Sequence, residues 1–236
     1  MTSFISKLHT DLRLTRITHR GAPTDRSATP GMHKEYPRME RIALSAPVTG
    51  LPPLDEVLAK RHSSETTASP TALSLSDIST LTGHALGKHA DSAHRNYPSG
   101  GALYPIETYI IASQLKDAGG GVYHYHPTEH ALEKLWDLPP GFAMPELVPK
   151  PESPAASTII LFTSVWDRSS RKYGDFTYPL ALQEAGHMSQ NILLVATALG
   201  IAARPIAGFN DACAEKLLDI QDAEQPVLSI VLYRNA

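Results

Sequence analysis

Apolar positions along the chain fall into separated blocks, and their spacing sets the elements. In LDEVLAKRHS, Leu54, Val57 and Leu58 recur at helical spacing and predict a helix from Leu54 that stops near Arg61 and His62. LSLSDISTLTGHAL opens with cap-forming serines and continues with Ile78, Leu81 and Leu86, a second helix. The apolar run Tyr109, Ile110 and Ile111 reads as a buried strand. GGGVYHYHPTEHALEKL alternates and turns at Pro127 and Thr128, which predicts two short strands in a hairpin. STIILFTSVW, 157–166, is a core strand. Residues 178–200 form the longest helical segment, apolar over much of its circumference and so largely buried. PVLSIVLYRNA supplies a final strand. Strands and helices alternate irregularly, helices lie toward both ends, and no internal repeat occurs, so the expected class is α+β rather than a doubly wound sheet. Residues 19–53, rich in Pro, Gly, Ser and charge, show no sustained period and read as an extended arm.

Composition narrows the setting. With 236 residues and 42% hydrophobic content, the chain can bury a real core. A net charge of -3 gives no electrostatic case for nucleic acid or an acidic membrane surface, and no stretch is long enough to cross a bilayer. Cys213 is the only cysteine, which excludes a disulfide framework or thiolate cluster and fits a reducing cytoplasm. The first twenty residues mix charges with apolar positions and lack the apolar core of a signal peptide.

The candidate chemistry is sparse. His124, His126 and His130 are expected as surface histidines of the hairpin rather than a metal cluster. Gly119, Gly120 and Gly121 precede a strand instead of capping a helix, and are expected to form a flexible turn. Neither GxGxxG nor GxxxxGK[ST] occurs, so no Rossmann site or P-loop is supported. Glu184 and His187, three apart on an apolar helix, read as a hydrogen-bonded core pair. IAARPIAGF, after the helix stop at Gly200, reads as a short loop offering backbone N–H groups to a flat polar ligand. In RKYGDFTY, Lys172 and Tyr173 are expected in a loop. There they either converge on one substrate as base and proton carrier or stand as two unrelated surface residues.

Three blocks, YPSGGALYPIETYII, RKYGDFTYPLALQEAGHMSQNILLVATALGI and RPIAGF, resemble in order and spacing the FMN-dependent nitroreductase superfamily. More narrowly they resemble its SagB/McbC-type branch, the dehydrogenases that oxidise azolines to azoles. The resemblance spans about residues 54–234. It implies an N-terminal extension, 1–53, and an FMN-binding domain, 54–236. The implied fold has a central, mainly antiparallel sheet flanked by helices, in an intertwined homodimer with FMN at each subunit interface. It also implies that Arg61 and Ser63 contact FMN phosphate and ribityl. Many members carry a second arginine where this chain has Glu65, which leaves Arg234 or Arg95 to complete the grip. Pro98, Ser99, Gly100, Gly101 and Leu103 would line the pyrimidine side of the isoalloxazine, while Ala207 and Gly208 would approach flavin N5. Lys172 and Tyr173 match the branch's Lys-Tyr pair, whose role would be to take the proton from the azoline carbon beside the peptide carbonyl as hydride leaves for the flavin. The implied partners are a peptide or carrier-bound substrate and a cyclodehydratase or carrier domain. The alternatives are a general NAD(P)H-dependent nitro or quinone reductase and a non-catalytic scaffold with a degenerate flavin site.

Overall fold

A computed structural model of the chain describes residues 3–18, 33–64, 71–89, 92–151 and 156–234. The strands are β1 (Glu40–Ala43), β2 (Leu73–Ser74), β3 (Ile106–Lys116), β4 (Gly119–His126), β5 (Ala131–Trp136), β6 (Thr158–Val165), β7 (Ala202–Ile206) and β8 (Glu224–Tyr233). The helices are α1 (Phe4–Thr18), α2 (Leu54–Lys60), α3 (Leu75–Leu86), α4 (Met144–Leu147), α5 (Asp167–Tyr173), α6 (Thr177–Ala198) and α7 (Asp211–Leu218). One sheet runs in the order β1-β5-β4-β3-β6-β8-β7, antiparallel throughout, with β2 added in parallel against β3. The chain therefore has an α+β fold with an antiparallel sheet flanked by helices.

Alternation along β3 divides the interior, because successive strand residues point to opposite faces. Ile106, Ile110 and Ala112 join a core with Ile78, Leu81 and Ala85 of α3 and Ala181, Met188 and Ile192 of α6. Tyr109 and Ile111 join a second core with Leu147 of α4 and Ala214, Leu217 and Leu218 of α7. Helix α3 starts as its serines predict: Ser74 Oγ accepts the Asp77 N–H at 3.1 Å while Asp77 returns a carboxylate to the Ser74 N–H, a reciprocal cap.

Several expectations are corrected. Gly119, Gly120 and Gly121 open strand β4 rather than forming a flexible turn. IAARPIAGF is largely strand β7, which lies at the sheet edge, where the missing N–H of Pro205 interrupts no central ladder. Residues 19–53 are not simply extended, since they hold edge strand β1.

The hairpin histidines are not on the surface. His124 is fully buried and His126 is 2% exposed; only His130 is half-buried. His124 lies between two buried carboxylates, with Nδ1 2.9 Å from Glu133 Oε2 and Nε2 2.8 Å from Glu107 Oε2. Burial opposes charge on this ring, but both carboxylates outweigh it and hold the pKa above its ordinary value. Arg168 donates to Glu107, and Arg41 Nη2 donates to Glu133 at 2.7 Å. Residues ahead of β1 complete the network: the Lys34 N–H donates to Glu107 at 2.6 Å, and Lys34 Nζ donates to Glu224 at 2.6 Å and to the Tyr109 hydroxyl at 3.0 Å. Every buried charge here has an opposite partner, as the desolvation cost demands.

Candidate functional site

The segment Pro98 to Tyr104 is a clamped and strained loop. Gly100–Ala102 makes one tight turn in which Gly101 has φ 67°, and the non-glycine residues Ala102 and Tyr104 have φ 55° and 49°. Left-handed backbone at such residues costs on the order of 1 kcal/mol each and persists only where the surroundings impose it. Ser99 Oγ accepts the Tyr104 N–H at 2.9 Å and donates to Glu184 Oε2 of α6 at 2.5 Å. The Tyr104 carbonyl accepts from Arg168 at 3.1 Å, and its hydroxyl accepts the Arg95 N–H at 3.1 Å. The Arg95 guanidinium lies 4.5 Å from the Tyr104 ring centre and donates to the Tyr97 hydroxyl at 2.7 Å. Arg95 thus belongs to this loop, where it lines an open depression with His94, Tyr97, Pro98, Ser99 and Gly101. Leu103 is half-buried directly after the turn.

Lys172 and Tyr173 do not sit in a loop. They form the last turn of α5, which Gly174 ends with φ 53° and ψ -139°, a conformation open to glycine. Both side chains are brought onto the glycine loop. A Cβ at Gly101 would meet Tyr173 Oη at 2.5 Å and Lys172 Nζ at 2.7 Å, and one at Gly100 would meet Leu180 at 3.3 Å. The ammonium lies 5.1 Å from the Tyr173 ring centre, so the two polar tips converge on one spot. Adjacent residues achieve this because a helix end, unlike a strand, turns successive side chains by about 100° rather than to opposite faces.

A second cluster is built at the end of β7. After α2 the chain leaves the helix at Arg61, passes Ser63, and pairs the Ser64 N–H with the Ala203 carbonyl at 3.2 Å. Arg204 reaches back to the Ser64 carbonyl at 3.5 Å. Arg234 follows Tyr233, which pairs with Ala202, and donates to Asp77 at 2.6 Å. Ser63, Arg204 and Arg234 thereby lie near the Ala202 end of the strand, with Arg61 two residues before Ser63 at the end of α2. Ala207 and Gly208 are exposed at its other end, where a Cβ on Gly208 would touch Lys150 Nζ at 3.4 Å. Glu65 lies outside the described residues.

The Nitroreductase family profile matches residues 58–232, which hold both clusters except Arg234. The chain belongs to the nitroreductase family. It is 32% identical over 183 residues to MJ1384 of Methanocaldococcus jannaschii, a nitroreductase by name, covering 77% of this chain and 90% of that one. It is 33% identical over 142 residues to the Escherichia coli microcin B17-processing protein McbC, covering 55% of this chain and 50% of McbC. This nitroreductase-family chain thus spans about half the length of McbC. Among solved structures it resembles a chain of the E. coli microcin synthetase McbBCD complex with truncated pro-MccB17 bound, at TM-score 0.67 and 24% identity over 100% of this chain and 98% of that one. It also resembles a nitroreductase from Exiguobacterium sibiricum in complex with FMN, at TM-score 0.54 and 13% identity over 78% and 89%.

Two site features escape the sequence. Glu184 pairs with Ser99 rather than with His187, which is exposed. Its carboxyl is pushed up to about 7, chiefly by burial. The visible signal was an acid on an otherwise apolar helix. Arg204 escapes because β7 is five residues long and owes its extended form to pairing with β8.

Proposed function

We propose that the chain is an FMN-dependent dehydrogenase that oxidises azoline rings, thiazoline or oxazoline, to azoles in a peptide or carrier-bound precursor. The observation that carries this reading is the convergence of Lys172 Nζ and Tyr173 Oη over Gly101, in a loop too small-chained to obstruct a flat ring. The likeness to McbC, and to a chain of a synthetase complex with bound pro-peptide, supports a modified peptide as substrate and a cyclodehydratase as partner.

The residues present fit FMN. Arg61, Arg204 and Arg234 suit a phosphate dianion, with Ser63 beside them for the ribityl hydroxyls. Ala207 and Gly208 would then present backbone to the ring, and Pro98, Ser99, Gly100, Gly101 and Leu103 would lie along its pyrimidine side. Arg95 packs on Tyr104 and donates to Tyr97, which favours Arg234 over Arg95 as the residue that completes the phosphate grip. FMN, when bound, would supply the two-electron acceptor. The chain's own contribution is to position the azoline and to take its acidic ring proton. Lys172 is the base, and Tyr173, whose hydroxyl shares the same spot, orients it and passes the proton on. We further propose that the flavin site is completed across a homodimer.

Lys172→Ala combined with Tyr173→Phe should abolish azole formation from an azoline peptide, read by the loss of two mass units, while the purified protein stays yellow. Unchanged azole formation in that variant would sink the assignment. The family's name favours a second reading, an NAD(P)H-dependent reductase; rapid bleaching of the flavin by NADPH, with no turnover of azoline, would select it.

A further inference from the structure

We propose that His33, Glu35 and His126 form a binding site for a borderline divalent cation, zinc in a cell, that pins the segment ahead of β1 onto strand β4. Their three ligand atoms lie within 4.8 Å of one another. His33 Nε2 is 3.4 Å from Glu35 Oε1, and the two imidazoles meet edge to face with ring centres 4.5 Å apart. His126 is 2% exposed, and its Nε2 has no hydrogen-bond partner; neither has Nε2 of His33. Two buried ring nitrogens left unsatisfied at one place need an explanation. A shared metal ion answers for both.

Two imidazoles and one carboxylate suit zinc and its transition-series neighbours and do not suit calcium or magnesium. Bonds of about 2.1 Å at tetrahedral angles place donors roughly 3.4 Å apart, so the His33–Glu35 edge already has the required span and the triangle closes by on the order of 1 Å. Glu35 is exposed, which leaves the outer coordination position to water. One rearrangement is required. His126 Nδ1 accepts the Glu129 N–H at 3.1 Å, and it must take a proton when Nε2 binds metal. Glu129 lies in an exposed turn, so its N–H can pass to solvent at a cost of about tenfold in affinity, which a site with three ligands absorbs.

The test uses the untagged full chain, stripped with chelator and titrated with zinc against a chromophoric competitor, with cobalt as a spectroscopic probe. Expected is one equivalent bound at micromolar or tighter affinity, a rise in Tm, and a tetrahedral or five-coordinate cobalt band. His33→Phe keeps the ring contact but removes the nitrogen, and should lose that equivalent and the Tm rise while its circular dichroism is unchanged. Should that variant fail to fold, Glu35→Ala at the exposed position decides, with an expected loss of at least about tenfold in affinity. Binding no tighter than millimolar in the native chain overturns the site. So does equal binding by His33→Phe, or by Glu35→Ala where that variant decides.

Discussion

Replacing Glu184 by glutamine should change how stability depends on pH. The buried carboxyl titrates at about 7 in the folded chain, against 4.5 for the ordinary group. Between those values the folded state holds a proton that the unfolded state has released. Stability from this group is therefore fully present below about pH 4.5 and is lost as pH rises through 7. The gap of 7 - 4.5 = 2.5 units corresponds to about 3 kcal/mol, the cost of ionising a carboxyl that is 2% exposed and holds one serine hydroxyl. The glutamine side chain keeps the shape and still accepts from Ser99, but it has no charge to bury. Urea unfolding of both proteins between about pH 5 and 8.5 measures the effect. The native chain should lose about 3 kcal/mol relative to Glu184→Gln across that range, roughly 1 M in midpoint. His124 also favours low pH, but it titrates in both proteins and cancels from the difference. A difference independent of pH would refute the reasoning.

Gly101→Ala places a Cβ within 2.5 Å of Tyr173 Oη on a left-handed backbone, so it should cost about 1 kcal/mol in denaturant stability and displace the Lys-Tyr pair. Azole formation should fall by at least tenfold, measured at matched flavin content. Arg204→Gln should weaken FMN binding by about ten- to a hundredfold in fluorescence titration while leaving riboflavin, which has no phosphate, unchanged. Equal loss for both ligands would remove Arg204 from the phosphate grip.

Long periodic segments were legible and short ones were not. The capped helix α3, the buried α6 and strands β3, β6 and β8 carry enough repeating apolar positions to announce themselves. Strands β1 and β7 are four and five residues long and exist because neighbouring strands pair with them, an interaction outside their own sequence. The seven residues of α5 gave no periodic signal, so Lys172 and Tyr173 were expected in a loop. The buried state of His124 was not readable. A turn at Pro127 and Thr128 would set His124 opposite Ala131, whereas the observed four-residue loop 127–130 sets it opposite Glu133. Glu107 and Arg168, which complete the pair's surroundings, lie too distant in sequence for any local pattern.

The bond from Lys34 to Glu224 joins residues 190 positions apart. A ribosome makes Lys34 long before its carboxylate partner. Glu107 and Glu133 emerge in between, and Lys34 and Tyr36 reach both through their backbone N–H groups. The leading segment therefore cannot reach its final seat until β8 has joined the sheet, and contacts of such separation close slowly. Distant stretches of the polypeptide meet in one buried ion network, so synthesis of β8 is itself a condition for closing this face of the protein.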